Sequence, residues 1–365
     1  MTLAALGSAV SLTVLTGCGA VDGGSGSGSA SPTKGDDLAV GLLLPEKENQ
    51  RYEKFDYPII KQQVASLTEN KGRVVYANAE SSATKQSAQL ARMVADRVDV
   101  ILVDAVDAKA IEPGIKKAKD AGIPVIAYDR LAQGPIDAYV SFDNELVGQV
   151  QGRAIVEALG ADATAKKIVM MNGSPTDPNA AVFKSGALSE LRGKVTIAKS
   201  YDTADWAPQN AKSNMEKAIR AIGLGNIKAV LSANDGMAGA VIDALKEAGA
   251  SKVPPVTGQD ADLAAVQRIL SGDQYMTVYK SYPQEATAAA EMAVARVQGR
   301  SIEFDGLTRD KVNSPTQKGI PSQLVPVVAL TKANIQGTVI QDGIYTVGQI
   351  CTGAYKAACA GAGLK

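Results

Sequence analysis

Gly122-Ile123-Pro124-Val125-Ile126-Ala127-Tyr128-Asp129-Arg130 is the stretch that decides the fold of this chain. Ile123 to Ala127 is a short, uninterrupted apolar run, the pattern of a parallel strand covered on both faces. Gly122 fits the glycine that closes a preceding helix. The run ends in an aromatic, an acid and a base. In open α/β sheets ligands bind beyond the carboxyl ends of the strands, so Asp129 and Arg130 stand where a small polar ligand is gripped. On these residues alone a simple strand-end ion pair explains them equally well.

Outward from this stretch a βα rhythm runs in both directions, with a period of roughly 25–30 residues. Strands are expected at 38–44, 73–77, 100–103, 123–127 and 138–142. Between them Leu90, Val94 and Val98 recur every fourth residue, the apolar stripe of a helix. The rhythm then restarts, with strands at 168–171, 195–200, 229–232 and 256–258 and helices at 209–222, 239–248 and 263–270. Two successive blocks of this kind imply an α/β protein of two doubly wound, Rossmann-like domains with a cleft between them. A strand at 274–280 and an Ala-rich helix at 285–297 follow, then a polar, irregular stretch at 300–321. A last apolar strand at 324–330 is interrupted by Pro326. This order predicts a chain that returns to the first domain and crosses back, with crossings near Phe142, Tyr279 and Pro326. Three crossings make a hinge that allows opening and closing while restraining twist. The expected boundaries are 37–142 plus 281–323 for the first lobe, 143–280 plus 324–350 for the second, and 351–365 for a C-terminal extension.

Composition narrows the function. In 365 residues, Lys+Arg and Asp+Glu are both 38, so no basic stripe is available for nucleic acid. His is absent, which removes Ser-His-Asp and Cys-His nucleophile arrangements, imidazole metal sites and any His general base. The first 17 residues are apolar and small and end in Leu15-Thr16-Gly17-Cys18. This resembles a bacterial lipobox, which predicts a signal peptide over 1–17 and a lipid on Cys18. No Lys or Arg precedes the apolar run, a departure from the usual signal pattern. The Gly/Ser-rich stretch up to residue 36 reads as a flexible tether. A lipid, a tether and a folded body predict a protein anchored at the outer face of a membrane.

Aromatics are only 4% of residues, yet Tyr52, Tyr128, Phe142, Trp206 and Tyr279 fall at expected strand ends or in loops. A flat apolar face beside Asp, Asn and Arg suits a sugar, whose C–H face packs on the ring while its hydroxyls take planar hydrogen bonds. Asn179, Asn234, Asp235, Asp260 and Lys280 also occupy strand-end or helix-start positions. Singly, each is more often a cap or turn former. Five such polar positions aimed at one cleft are hard to explain by capping. No phosphate loop or zinc-ligand set is present, and no metal or cofactor is expected.

With these residues in view, the chain resembles the type I periplasmic sugar-binding proteins, the receptors of ABC importers, and within them the D-xylose-binding branch. The resemblance rests on Ala127-Tyr128-Asp129-Arg130, Ser141-Phe142-Asp143-Asn144, Gly173-Ser174-Pro175, Trp206 with Pro208, and Asn234-Asp235. It continues through Gly258-Gln259-Asp260-Ala261-Asp262, Met276-Thr277-Val278-Tyr279-Lys280 and Pro321-Ser322. It implies a three-segment hinge, a monomer, a monosaccharide ligand and permease subunits as partners. By position it implies sugar contacts from Arg51, Asp129 and Arg130 on one lobe and Asn179, Asn234 and Asp260 on the other, with Lys280 near the hinge. Trp206 would stack on one face of the sugar and Tyr52 on the other. The xylose binders tend to carry Trp at the position of Tyr52, and a more acidic strand end than Leu44-Pro45-Glu46. These departures leave glucose or another aldose as alternatives to D-xylose.

A receptor of the same fold that signals to a membrane sensor would share every pocket residue. A repressor is disfavoured, since no helix-turn-helix or basic segment precedes Leu38, and an enzyme by the absence of His. Cys351 and Cys359 lie in the C-terminal extension, and in an exported protein they are expected to pair. On one straight helix they would sit about 12 Å apart, too far to bond, so the helix must break, with Thr352-Gly353 as the place.

Overall fold

The computed structural model describes residues 34–364. The Cys18 lipidation signal and nearly all of the tether lie outside them. Five strands open the described chain: β1 Ala39–Leu44, β2 Arg73–Asn78, β3 Val100–Val103, β4 Val125–Tyr128 and β5 Ala138–Phe142. The first four are linked by α1 Tyr57–Leu67, α2 Ala83–Ala95 and α3 Glu112–Asp120. They pair in parallel in the order β2-β1-β3-β4-β5. The order reverses between β1 and β3, the switch point of a doubly wound sheet. The central strand starts two residues later than its apolar run. The Gly122 amide donates to Lys119 O and that of Ile123 to Ala118 O, while Pro124 has no N–H to give. The start of the run therefore closes α3, with Gly122 at φ +76°.

After β5 the chain leaves through α4 Asn144–Leu159 and builds a second parallel sheet. Here β6 Lys167–Asn172 lies between β7 Thr196–Asp202 and β8 Ile227–Ser232. Its helices are α5 Pro178–Leu191, α6 Pro208–Ile222, α7 Asp235–Glu247 and α8 Leu263–Ser271. The strand expected at 256–258 is reduced to two bridges, Val256 to Val230 and Gln259 to Val278. Through them β8 is joined to β9 Thr277–Lys280. The Ala-rich helix α9 Tyr282–Val297 then returns to cover the first sheet beside α1.

The stretch 300–321 is not irregular. It contains α10 Ser301–Leu307 and β10 Asp310–Val312, and leads into β11 Ile320–Val325. β10 and β11 form an antiparallel pair, and β11 extends the first sheet beyond β5. Their polar residues belong to an edge, where one face meets water. β12 Val327–Leu330 pairs with β9 in the second lobe instead. Pro326, without an N–H, separates the two strands, so the expected strand at 324–330 is two strands in different sheets. The β11 ladder holds to Val325, which puts the last crossing at Pro326. The chain thus passes between lobes three times: after β5, after β9 and at Pro326. Beyond β12, α11 Val347–Ile350 and α12 Lys356–Gly361 are separated at Thr352-Gly353, where Gly353 has φ +51°. That break brings Cys351 and Cys359 to a Cα–Cα distance of 5.8 Å, and they are joined by a disulfide.

Candidate functional site

Between the two lobes lies a small, polar-lined cavity. Arg51 and Tyr52 reach it from the segment after β1, where residues Tyr52–Asp56 form a π turn. Asp129 and Arg130 come from the end of β4. On the other side, Asn179 sits in the first turn of α5, Trp206 precedes α6, and Asn234 caps α7. Asp260 follows the bridge residue Gln259, and Lys280 ends β9. All nine residues singled out from the sequence line this one cavity, and all are buried. Asp129, Trp206 and Asp260 have positive φ, at +56°, +56° and +97°. Left-handed backbone at non-glycine residues costs about 1–3 kcal/mol each and gathers where surrounding structure imposes a function.

The charges are arranged in sets. Arg51 has its guanidinium spent on three carboxylates: Asp56 at 2.8 Å, Glu285 at 2.5 Å and Asp129 at 3.2 Å. It therefore acts largely as the support that holds Asp129 in place. Arg130 is held by Asp177 at 2.9 Å, Glu46 at 3.2 Å and Asp104 at 3.4 Å. Lys280 pairs with Asp260 at 2.9 Å. Contacts that cross between the lobes include Arg130 with Asp177, Asn179 Nδ2 donating to Asp129 O at 2.9 Å, and Asn49 Nδ2 donating to Asp260 Oδ2 at 3.0 Å. Burial raises the Asp129 carboxyl, but Arg51, Lys280 and Arg130 outweigh it and hold it below its usual range. Burial pushes Glu46 up to about 7 against the pull of Arg130, and raises Asp177 despite the same neighbour. Asp129 Oδ1 and Gln259 Oε1 are buried without a protein donor.

The aromatics divide. Trp206 donates Nε1–H to Asp177 Oδ2 at 3.0 Å and stands edge-on to Phe183 at 6.3 Å. Its ring fits only because residue 173 is glycine: a Cβ there would lie 2.1 Å from the indole. Tyr52 donates to Asp129 Oδ2 at 3.3 Å, with the Arg51 guanidinium 5.2 Å from its ring centre. Tyr128, Phe142 and Tyr279 are not in the cavity wall. Successive strand residues face opposite sides, so Asp129 and Lys280 take the cavity and their neighbours turn away. Tyr128 instead bonds Asp56 at 2.8 Å, and Tyr279 bonds Asp342 at 2.7 Å. Phe142 lies beneath the cations of Arg51 and Lys280, at 5.7 and 5.0 Å.

Sequence reasoning missed five lining residues: Glu46, Asn49, Asp177, Phe183 and Gln259. Asp177 carried a signal, since it is the N-cap of α5 and accepts from the Asn179 amide at 2.8 Å. Gln259 lay inside a quoted motif. Glu46 lay in the Leu44-Pro45-Glu46 strand end already noted as a departure at the pocket, and it follows β1 at the switch point.

The periplasmic binding protein domain family matches residues 40–301. The D-xylose-binding periplasmic protein of Escherichia coli is 34% identical over 315 residues, covering 85% of this chain and 91% of that protein. A multiple sugar-binding periplasmic protein of Azospirillum brasilense is also 34% identical, covering 87% and 93%. Among solved structures, an ABC transporter solute-binding protein from Clostridium phytofermentans with bound β-D-glucose superposes with a TM-score of 0.78. It is 28% identical, and the match covers 86% of this chain and 99% of that one.

Proposed function

This chain belongs to the type I periplasmic sugar-binding family, and from that premise we propose that it is the D-xylose receptor of an ABC importer, held outside the membrane by a lipid on Cys18. It is a binding protein and not an enzyme. Its location is extracytoplasmic, and it acts as a monomer that delivers one monosaccharide to permease subunits. The observation that carries the sugar reading is the state of the charges in the cavity. Arg51, Arg130 and Lys280 are each already matched by carboxylates. Among the described residues that line the cavity, no cation stands free to neutralise a phosphate or an acid, whereas Asp129 Oδ1 and Gln259 Oε1 are acceptors without donors. A buried acceptor left unpaired costs about 1–3 kcal/mol, so a neutral ligand rich in hydroxyls is favoured. Trp206 and Phe183 supply apolar faces for its C–H groups.

Calorimetry against xylose, glucose, arabinose, galactose and ribose tests the reading. The expected result is one site per chain, with D-xylose bound most tightly and xylose phosphate or xylonate unbound. Absence of binding to all five sugars would overturn it, and tightest binding of glucose would replace xylose as the ligand.

A further inference from the structure

The chain beyond β12 joins neither sheet, yet it reaches the support of the cavity. Residues 331–364 comprise a π turn at Gln336–Ile340, then α11 and α12 closed by the Cys351–Cys359 disulfide. Their apolar side chains, among them Ile344, Ile350 and Cys359, bury against Val266, Ile269 and Leu270 of α8. Gln267 Nε2 on the same helix donates to Ile350 O at 3.1 Å. Among the described residues, the one residue of the first lobe that enters this cluster is Phe55. The Phe55 ring lies between Tyr345, edge-on at 6.2 Å, and Tyr282, stacked at 5.6 Å.

Phe55 belongs to the π turn that begins with Tyr52 and directly follows Arg51. Tyr282 lies 4.4 Å from the Arg51 guanidinium, and its hydroxyl donates to Asp260 O. Phe55 also packs with Phe142, Tyr282, Val325 and Val327, residues that flank the three crossings. A continuous path of packed rings thus runs from the stapled segment to residues on both walls of the cavity.

We propose that the C-terminal segment, stapled by Cys351–Cys359, is a brace for the ligand site. Through the Tyr345–Phe55–Tyr282 stack it holds the turn that presents Arg51 and Tyr52, so Phe55 and Tyr345 are positioning residues for binding. A segment that merely covered the apolar face of α8 would not need a ring at 345 pointed at the first lobe. Aromatic pairing adds to burial, and its loss frees the turn to open locally.

The test uses the full folded chain and two readouts. Hydrogen exchange of the amides of residues 51–57 is measured without sugar, and D-xylose binding is measured by calorimetry. In Tyr345→Ala, and in the double variant Cys351→Ser with Cys359→Ser, these amides should exchange about tenfold faster. Amides of β6 and β8 should not change, and Tyr345→Phe should behave as the wild type. Xylose affinity should fall about tenfold in the same variants. Unchanged exchange at 51–57 in both overturns the brace, as does an increase spread evenly over both lobes. The affinity readout rests on the sugar reading above. A wild type that binds no sugar overturns that reading, while the exchange measurement still decides the brace.

Discussion

Arg130 illustrates how a single residue here is defined by groups far from it in the chain. Its three carboxylate partners follow β1, follow β3 and precede α5. The fork geometry of a guanidinium meets all three and also donates Nη1–H to Ala105 O at 3.2 Å, which a lysine could not do. Glu46 is the partner whose proton matters. Burial places its folded pKa at about 7, above the ordinary value of 4.5. The folded state therefore keeps a proton that the unfolded chain loses. Stability from that proton is complete below about pH 4.5 and is lost as pH rises through 7. Between pH 5.5 and 8 the wild type should lose about 1–2 kcal/mol more than Glu46→Gln. Urea unfolding of both proteins across that range measures it, and parallel pH profiles would remove Glu46 from the account.

At the scale of elements, the contact between α4 and α5 sets where Asn179 stands. The two helices approach so closely that a Cβ on Gly148 would lie 2.0 Å from Phe183 O, and one on Gly186 would lie 2.2 Å from Glu145 O. Both obstacles are backbone atoms, which cannot rotate aside. Glycine in a helix interior costs about 0.5–1 kcal/mol relative to alanine, and here close packing offsets that cost. Gly148→Ala should accordingly destabilise the protein by about 1–3 kcal/mol instead of stabilising it. Because α5 carries Asn179 and its cap Asp177, the same change should also weaken ligand binding. A urea midpoint at or above that of the wild type would contradict this view of the contact.

At the scale of the whole molecule, the ligand groups are divided between lobes joined by three strands of chain. A ligand that meets all of them at once should shift the population toward a closed form. Asn49 already donates to Asp260 across the lobes at 3.0 Å. Solution scattering should give a smaller radius of gyration with xylose than without. In Asp260→Asn, which keeps the shape but removes the charge facing Lys280, binding should be weak and the contraction reduced. Overlapping curves for the free and the xylose-bound wild type would rule out the clamp.

Much of this was written in local sequence. Short uninterrupted apolar runs, recurring between helix stripes of period 3.6, determined the two βα blocks, and the position after each strand determined where Asp129, Arg130 and Lys280 would gather. Pro326 marked a crossing because a residue without an N–H cannot continue a ladder. What the sequence left open was pairing. Arg51 meets Glu285 across 234 residues and Arg130 meets Glu46 across 84, and neither spacing has a local signature. The order hidden in 300–321 escaped for the same reason, since an edge pair forms only against a sheet already built. Tertiary structure alone made Arg51 a support, turned Tyr128 and Tyr279 away from the cavity and brought Phe55 under Tyr345. Burial and charge pairing depend on which distant segments share a space, and that is settled only when the lobes pack.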